Sequence, residues 1–329
     1  MLSNERLRRV TSLLQSRMKR FILTLPSSME RDVHQYLRSP HRVQARKRSS
    51  RSVHQNQPYW ILLPLWLEQT FRFRAKGSTS LDRRFIHDVL WAQYCLFQQV
   101  AIHDELFDRH QSNLGLIFAA NQFQLEADRV MSKHFGRASE FWKVYRTSLS
   151  ETYRAIIEVR SLQRSKTLEP GDFLAWYNKS YAVVKVGSAA VCARMHRMRH
   201  FPHVSRFAGE MAKIGQALDD LTDIEEDLER GEFNYASAYI LQSRRKKMPD
   251  KKHALKAISH ALLAGDAIPQ FFRELRVHLH RARRAIQPLK IDAATEYLQR
   301  YEASLTAMEE HIHRQRVRLI FGNLARSSK

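Results

Sequence analysis

The chain is short of the two residues that interrupt helices. Its 329 residues include 10 Gly and 9 Pro, where average usage of about 7% and 5% would supply roughly 23 and 16. Sheet proteins need turn residues at short intervals, so the shortage argues against a strand-rich fold and predicts long helices. Two cysteines, Cys95 and Cys192, are too few for a disulfide framework and point to a reducing compartment. Long apolar runs are missing as well. The longest uncharged stretch in the central part of the chain, Val89–Ile102, is too short and too polar to span a bilayer. The N-terminus lacks an apolar core followed by small residues, so no secretory signal is expected there, while the Arg/Ser-rich look of a transit peptide stays open. The expected location is cytoplasmic, with peripheral attachment to a membrane as a variant. No GxGxxG, P-loop pattern or internal repeat is found, which argues against nucleotide-binding α/β folds and solenoids.

What is present is enough for a sizeable core: 43% of residues are apolar and 10% aromatic, which excludes wholesale disorder. The net charge is +22 and unevenly spread. Residues 1–57 carry 13 Lys/Arg against 3 acids, and 244–256 carry 7 against 1, so the rest of the chain is close to balanced. Asn4–Leu25 reads as an amphipathic helix, with Leu7, Val10, Leu14, Phe21 and Leu25 against Arg6, Arg9, Arg17 and Arg20, ended by Pro26. Arg38–Gln57 has almost no large apolar residue and reads as a linker. This basic N-terminal segment suits a solubilising tail, or peripheral contact with anionic membrane or polyphosphate. Nucleic acid is disfavoured, because no interleaved aromatics or recognition module accompany the charge.

From Pro58 onward the pattern is helical, giving the expectation of one all-α domain over 58–329. The expected helices are Pro58–Phe73, Leu81–His110, Leu114–Phe135, Ser139–Ser165, Asp172–His200, Ser205–Arg230, Ala254–Gly265, Pro269–Gln287 and Asp292–Gly322. Pro202 is taken as a separator, and Gly231 as a C-terminal cap.

Two acidic clusters stand out in this basic chain. Between Asp219 and Glu232, eight of fourteen residues are acidic. On a helix, Asp219, Asp223 and Asp227 fall about 40° apart in succession, and Glu226 joins the same stripe. Like charges at i,i+4 cost an isolated helix a few tenths of a kcal/mol per pair, roughly 0.2–0.5, and acids near a helix C-terminus oppose the macrodipole. Such a stripe is what a hard divalent cation needs. Asp220 points about 100° away and is a weaker ligand, as is Glu105. In the second cluster, Asp104 and Asp108 are again i,i+4, at the end of an apolar helix. A solvated acidic face is the competing reading of both. His103 and His110 raise a zinc reading with Asp104, but no HExxH or Cys/His framework supports it.

Gln216-Ala-Leu-Asp219-Asp220-Leu-Thr-Asp223 resembles the QxxDDxxD second aspartate-rich motif of trans-prenyl diphosphate synthases. The longer run resembles that of the squalene/phytoene synthase relatives and, in spacing, of bacterial large-terpene (tetraprenyl-β-curcumene-type) synthases. It matches at Asp219, Asp223, Glu226, Asp227, Gly231, Glu232, Phe233 and Asn234. Asp104-Glu105-Leu-Phe-Asp108 then stands for the first, DDxxD-type motif. The resemblance to class I isoprenoid (terpenoid) synthases implies a single-domain helical bundle around a central cavity. It implies two or three Mg²⁺ ions (with Mn²⁺ as a substitute) held by Asp104, Glu105, Asp108, Asp219, Asp220, Asp223, Glu226 and Asp227. It also implies a polyprenyl diphosphate substrate, and a homodimer is compatible with it. Lys185, Arg230 and Arg109 are the basic residues expected at the diphosphate, and Tyr94, Phe97, Phe107 and Tyr181, with Trp60 and Trp66, are candidate cavity lining. Aromatics at helical spacing are also ordinary core. The GGKxxRP-like segment and the RRG of chain-elongating enzymes are missing, since Asp108 is followed by Arg109-His110-Gln111. Ionisation of one allylic diphosphate, to a cyclic or linear terpene, is therefore the first expectation. Head-to-head or chain-elongating prenyl transfer, and a non-catalytic basic nucleic-acid-binding protein, are its rivals.

Overall fold

A computed structural model describes residues 4–39, 59–74, 82–109, 113–163, 169–242, 258 and 266–327. Among these there is no strand, and there are twelve α-helices and three 3₁₀ segments. The helices are α1 (Asn4–Ile22), α2 (Ser27–Leu37), α3 (Tyr59–Arg74), α4 (Arg83–Arg109), α5 (Leu114–Met131), α6 (Glu140–Gln163), α7 (Pro170–Ser180), α8 (Val186–Arg194), α9 (Phe201–Arg230), α10 (Tyr235–Gln242), α11 (Ala267–Ile286) and α12 (Asp292–Ser327). The expected linker from residue 40 on, the basic run 244–256 and most of Ala254–Gly265 lie outside the described residues.

The chain divides into two compact units, each assembled from discontinuous stretches: 1–152, 182–205 and 287–296 in the first, and 153–181, 206–286 and 297–329 in the second. No composition shift marks these boundaries, because they fall within helices and tight turns.

In the first unit α4 and α5 form an antiparallel pair, cross-linked by Trp91 Nε1 donating to Glu126 at 2.8 Å and by Gln99 donating to Gln124 at 2.5 Å. Apolar residues recur on every side of α3, which predicts burial, and Leu63, Leu65 and Leu67 are fully buried. α1 repeats an apolar residue every fourth position, and Val10, Leu14, Met18 and Ile22 are all buried. The apolar stripe that could have entered a lipid surface is thus spent inside the unit. Burying each such side chain contributes about 1.5–3 kcal/mol. Arg17 of α1 reaches Asp88 at 2.8 Å and lies over the Trp91 ring at 5.1 Å. Asp88 also receives His134 Nε2 at 2.9 Å, and its carboxyl is held below the ordinary range because Arg17 and His134 together outweigh its burial.

α1 ends at Ile22, three residues short of the expected Leu25, and Pro26 occupies the N-cap position of α2, a helix not expected from the sequence. Pro202 does not separate two helices. It sits in the first turn of α9, where the missing N–H costs nothing. The helix expected over Asp172–His200 is broken into α7, a 3₁₀ segment (Ala182–Lys185), α8 and a second 3₁₀ segment (Met198–His200).

In the second unit α10 packs against α7 and α11. Tyr235, Phe271 and Phe272 are fully buried at this junction, and Tyr235 and Phe271 pack at 5.7 Å between ring centroids. His278 of α11 is buried and faces Glu210 of α9 at 2.6 Å. No helix among the described residues is long and apolar enough to cross a membrane.

Candidate functional site: a carboxylate row on α9

The second half of α9 carries the acidic stripe. It ends where Gly231, at φ 75°, turns the chain in a left-handed conformation. Gly231 N donates to Leu228 O at 3.1 Å and Glu232 N to Asp227 O at 2.9 Å, the paired bonds of a Schellman cap. Three residues later Asn234 starts α10 as its N-cap. Its Oδ1 accepts from Ser237 N at 2.8 Å while Ser237 Oγ accepts from Asn234 N at 2.9 Å. The two caps turn the chain from α9 into α10, with Asn234 turned toward the stripe. Its Nδ2 donates to Asp227 Oδ2 at 2.7 Å and to the Asp220 carbonyl at 2.9 Å.

The acids of the run divide into two kinds. Asp219 is exposed and Asp223 and Asp227 are half-buried, so water reaches all three. Protein around Asp219 desolvates its carboxyl, and with Asp223 one turn away its pKa is pushed up to about 7. Desolvation also raises Asp227, to about 6, with repulsion from Asp223 and Glu232 adding to it and the Asn234 hydrogen bond opposing it.

Asp220 is different. It is buried, accepting from Tyr177 Oη at 2.5 Å, from Gln216 Nε2 at 3.2 Å and from Tyr235 N at 2.9 Å. Burial pushes it up to about 7 despite those donors. Its oxygens are committed to the α7–α9–α10 junction, which removes Asp220 from the expected ligand set. Glu232 is likewise occupied, facing Arg160 at 3.3 Å. Arg230, expected at a diphosphate, pairs on its own helix with Glu226 and stands 4.0 Å from Asp227. A guanidinium engaged by two carboxylates is a poor anion clamp until those acids are taken up elsewhere.

Apart from Tyr181, the other expected residues lie in the first unit. Asp104 is exposed and Glu105 half-buried at the end of α4, while the side chains of Asp108 and Arg109 and all of His110 lie outside the described residues. Lys185 is buried at the end of the 3₁₀ segment. Phe97 stacks on Trp60 at 4.9 Å and Tyr94 on Trp91 at 6.1 Å, so these rings take part in aromatic packing. Trp66 is buried, whereas Phe107 is 50% exposed, unlike the wall of a dry hollow. Tyr181, in the second unit, is half-buried at the C-terminal cap of α7. A cavity of ≈ 310 Å³ in the second unit, lined by Ile268, Pro269, Thr306, Glu309, Ile312 and Arg314 among others, includes none of the expected site residues.

Among the described residues no three His, Cys, Asp or Glu side chains converge so as to hold a metal ion by themselves. Magnesium does not require this, because it keeps several waters and takes one or two carboxylates together with substrate phosphates. Asp219 and Asp223 fit that demand. They are hard oxygen donors one helical turn apart, accessible to water, and a divalent cation would relieve the repulsion that raises Asp219.

Two partners have no counterpart among the residues expected from sequence: Tyr177, which meets Asp220, and Gln93 of α4, which meets Val183 and Gly187, act across long sequence separations that leave no local pattern. Asn234 is expected only as a motif match, and its capping role also carries a signal, since Asn three residues after a helix-ending Gly reads as the N-cap of a new helix.

No family model matches the chain, and no curated protein matches it by sequence. Solved structures do match in shape. A geranylgeranyl pyrophosphate synthase from Corynebacterium glutamicum superposes with a TM-score of 0.62 at 13% identity, covering 94% of this chain and 95% of its own. A heptaprenyl diphosphate synthase from Staphylococcus aureus gives 0.62 at 11% identity, over 93% and 97%. A decaprenyl diphosphate synthase from Rhodobacter capsulatus gives 0.61 at 10%, over 93% and 97%. The chain is therefore an all-helical protein with the fold of the isoprenyl diphosphate synthases.

Proposed function

We propose that this chain is a magnesium-dependent enzyme acting on polyprenyl diphosphates, and that its reaction is prenyl transfer by chain elongation. The observation that carries the reading is the row Asp219, Asp223 and Asp227, accessible to water, raising one another's pKa and set in the second half of a long helix. The fold shared with three polyprenyl diphosphate synthases supports it and shifts the preference from cyclisation, the first expectation, to chain extension.

In this reading Asp219 and Asp223 supply oxygen ligands on α9 and Asp227 extends the row, oriented by Asn234. Asp104 and Asp108 supply a second set from α4. When bound, magnesium neutralises the leaving diphosphate and acts as a Lewis acid on it. Lys185 adds a fixed positive charge, which stabilises charge growing on that group as the C–O bond breaks. Arg230 is released from Glu226 and Asp227 to the extent that those acids take up other partners. Asp220 takes no part in binding and holds α9 against α7 and α10.

A second reading, ionisation of a single allylic diphosphate without condensation, is favoured by one feature. The segments that grip the second substrate of chain-elongating enzymes are missing from this sequence. One experiment separates the two. The protein is incubated with Mg²⁺ and allylic diphosphates of increasing chain length, with and without isopentenyl diphosphate, and products and released pyrophosphate are measured. Longer diphosphates formed only with isopentenyl diphosphate support elongation. Hydrocarbons or alcohols formed without it support the second reading, and no pyrophosphate release from any substrate overturns both.

A further inference from the structure

In a regular helix running through residues 183–187, Gly187 N would donate to Val183 O. Here both of these groups are engaged by a side chain. Gly187 N donates to Gln93 Oε1 at 2.6 Å, and Gln93 Nε2 donates to Val183 O at 2.8 Å. The carboxamide of Gln93, reaching from α4, is thus spliced into the helical ladder as an extra amide link. A side chain inserted into the i→i−4 ladder is a recognised cause of a sharp helix break, and here the 3₁₀ segment gives way to α8.

Several features hold this wedge in place. Gln93 is completely buried, so both hydrogen bonds form away from water, and its polar atoms have no cheap alternative partner. Val183 N donates to Thr152 Oγ1 at 3.2 Å, tying the N-terminal side of the break to α6. Gly187 leaves room for the approach: a Cβ there would stand 3.0 Å from Gln93 Oε1 and 3.1 Å from Pro64 Cγ. All these groups belong to the first unit.

Lys185 lies between the two residues that the wedge separates. We propose that Gln93 is a positioning residue for Lys185: by holding the helix open between Val183 and Gly187, it sets where the buried ammonium group is delivered. This rests on the proposed function, in which Lys185 meets the diphosphate. Gln93 touches neither substrate nor metal in this account. Closing the ladder would restore a regular turn and rotate the Lys185 side chain to another direction.

The test uses the full chain and inorganic pyrophosphate with Mg²⁺ as probe, with binding followed by calorimetry and folding by circular dichroism melts. Gln93→Met removes both hydrogen bonds at similar length, and Gly187→Ala crowds the wedge without removing a polar partner. Each is expected to weaken binding by about tenfold, the scale of one lost charge-assisted hydrogen bond, while the helical signal is kept. Lys185→Ala should weaken it by a similar factor, and Gln93→Met combined with Lys185→Ala should bind no worse than Lys185→Ala alone. Should Gln93→Met not fold, Gly187→Ala decides. If the Gln93 and Gly187 variants bind like the unaltered protein while Lys185→Ala does not, or if the double variant is additive, the positioning role is overturned and the proposed function stands. If Lys185→Ala binds normally, the diphosphate role of Lys185 falls and takes this inference with it. Failure of the unaltered protein to bind the probe overturns the proposed function itself.

Discussion

Asn234 Nδ2 lies 2.7 Å from Asp227 Oδ2, seven residues back on the preceding helix, and the same nitrogen reaches the carbonyl of Asp220. One buried amide therefore caps α10, ties it to α9 and orients the last carboxylate of the acidic row. Replacing Asn234 by Ala removes the N-cap and both of these bonds. The expected cost is about 1–2 kcal/mol from the cap, with weaker magnesium dependence of any activity. A urea melt, with a magnesium titration beside it, checks both.

Tyr177 is the neutral donor nearest the buried Asp220 carboxyl, at 2.5 Å. Tyr177→Phe leaves that group one donor short in a dry site, for an expected loss of about 1–3 kcal/mol. Asp220→Asn should be milder, because an amide can still accept from Tyr177 or Tyr235 N. Equal melting temperatures for Tyr177→Phe and the unaltered protein would contradict this account of the junction.

The acidic row was legible in the sequence because helical spacing alone puts Asp219, Asp223 and Asp227 on one stripe. The Gly231 cap was legible for the same reason, since it depends only on local residues. Asp220 was half legible: its angle set it apart, but its partners Tyr177 and Tyr235 are brought to it by tertiary packing. The break before α8 left no local mark beyond Gly187, because its cause is Gln93, ninety-four positions away. α2 was missed because its sequence is largely polar, and it is the burial of Val33 and Tyr36 that fixes it. The basic charge of α1 drew attention to its outer face, whereas Arg17 turns inward to Asp88.

Arg17 couples α1 to the first unit. Arg17→Ala removes the 2.8 Å pair with Asp88 and the contact with Trp91, leaving a buried carboxylate with His134. The expected destabilisation is about 1.5–3 kcal/mol. Limited proteolysis within residues 4–22 should then be faster than in the unaltered protein, and an unchanged cleavage rate would count against the clamp.

The raised carboxyls make the metal-free protein pH-sensitive. Folded Asp219 and Asp220 titrate near 7 and Asp227 near 6, against an ordinary value of 3.8. The folded state therefore holds these protons more tightly than the unfolded chain does. Their contribution favours folding at acid pH and is lost as pH rises from the unfolded value through the folded ones. The melting temperature of metal-free protein should fall between about pH 5 and pH 8. The drop should be smaller in Asp219→Asn, and Mg²⁺ added at the upper end should restore part of it. A profile identical in the variant would show that Asp219 is not the desolvated group described.

The most direct measurement is pyrophosphate release from an allylic diphosphate by purified Asp223→Ala protein, with saturating Mg²⁺ and isopentenyl diphosphate present. Asp223 lies at the middle of the row and repels both Asp219 and Asp227. A loss of turnover of about a hundredfold or more, with the fold intact, is the predicted result. Turnover equal to that of the unaltered protein would contradict the account.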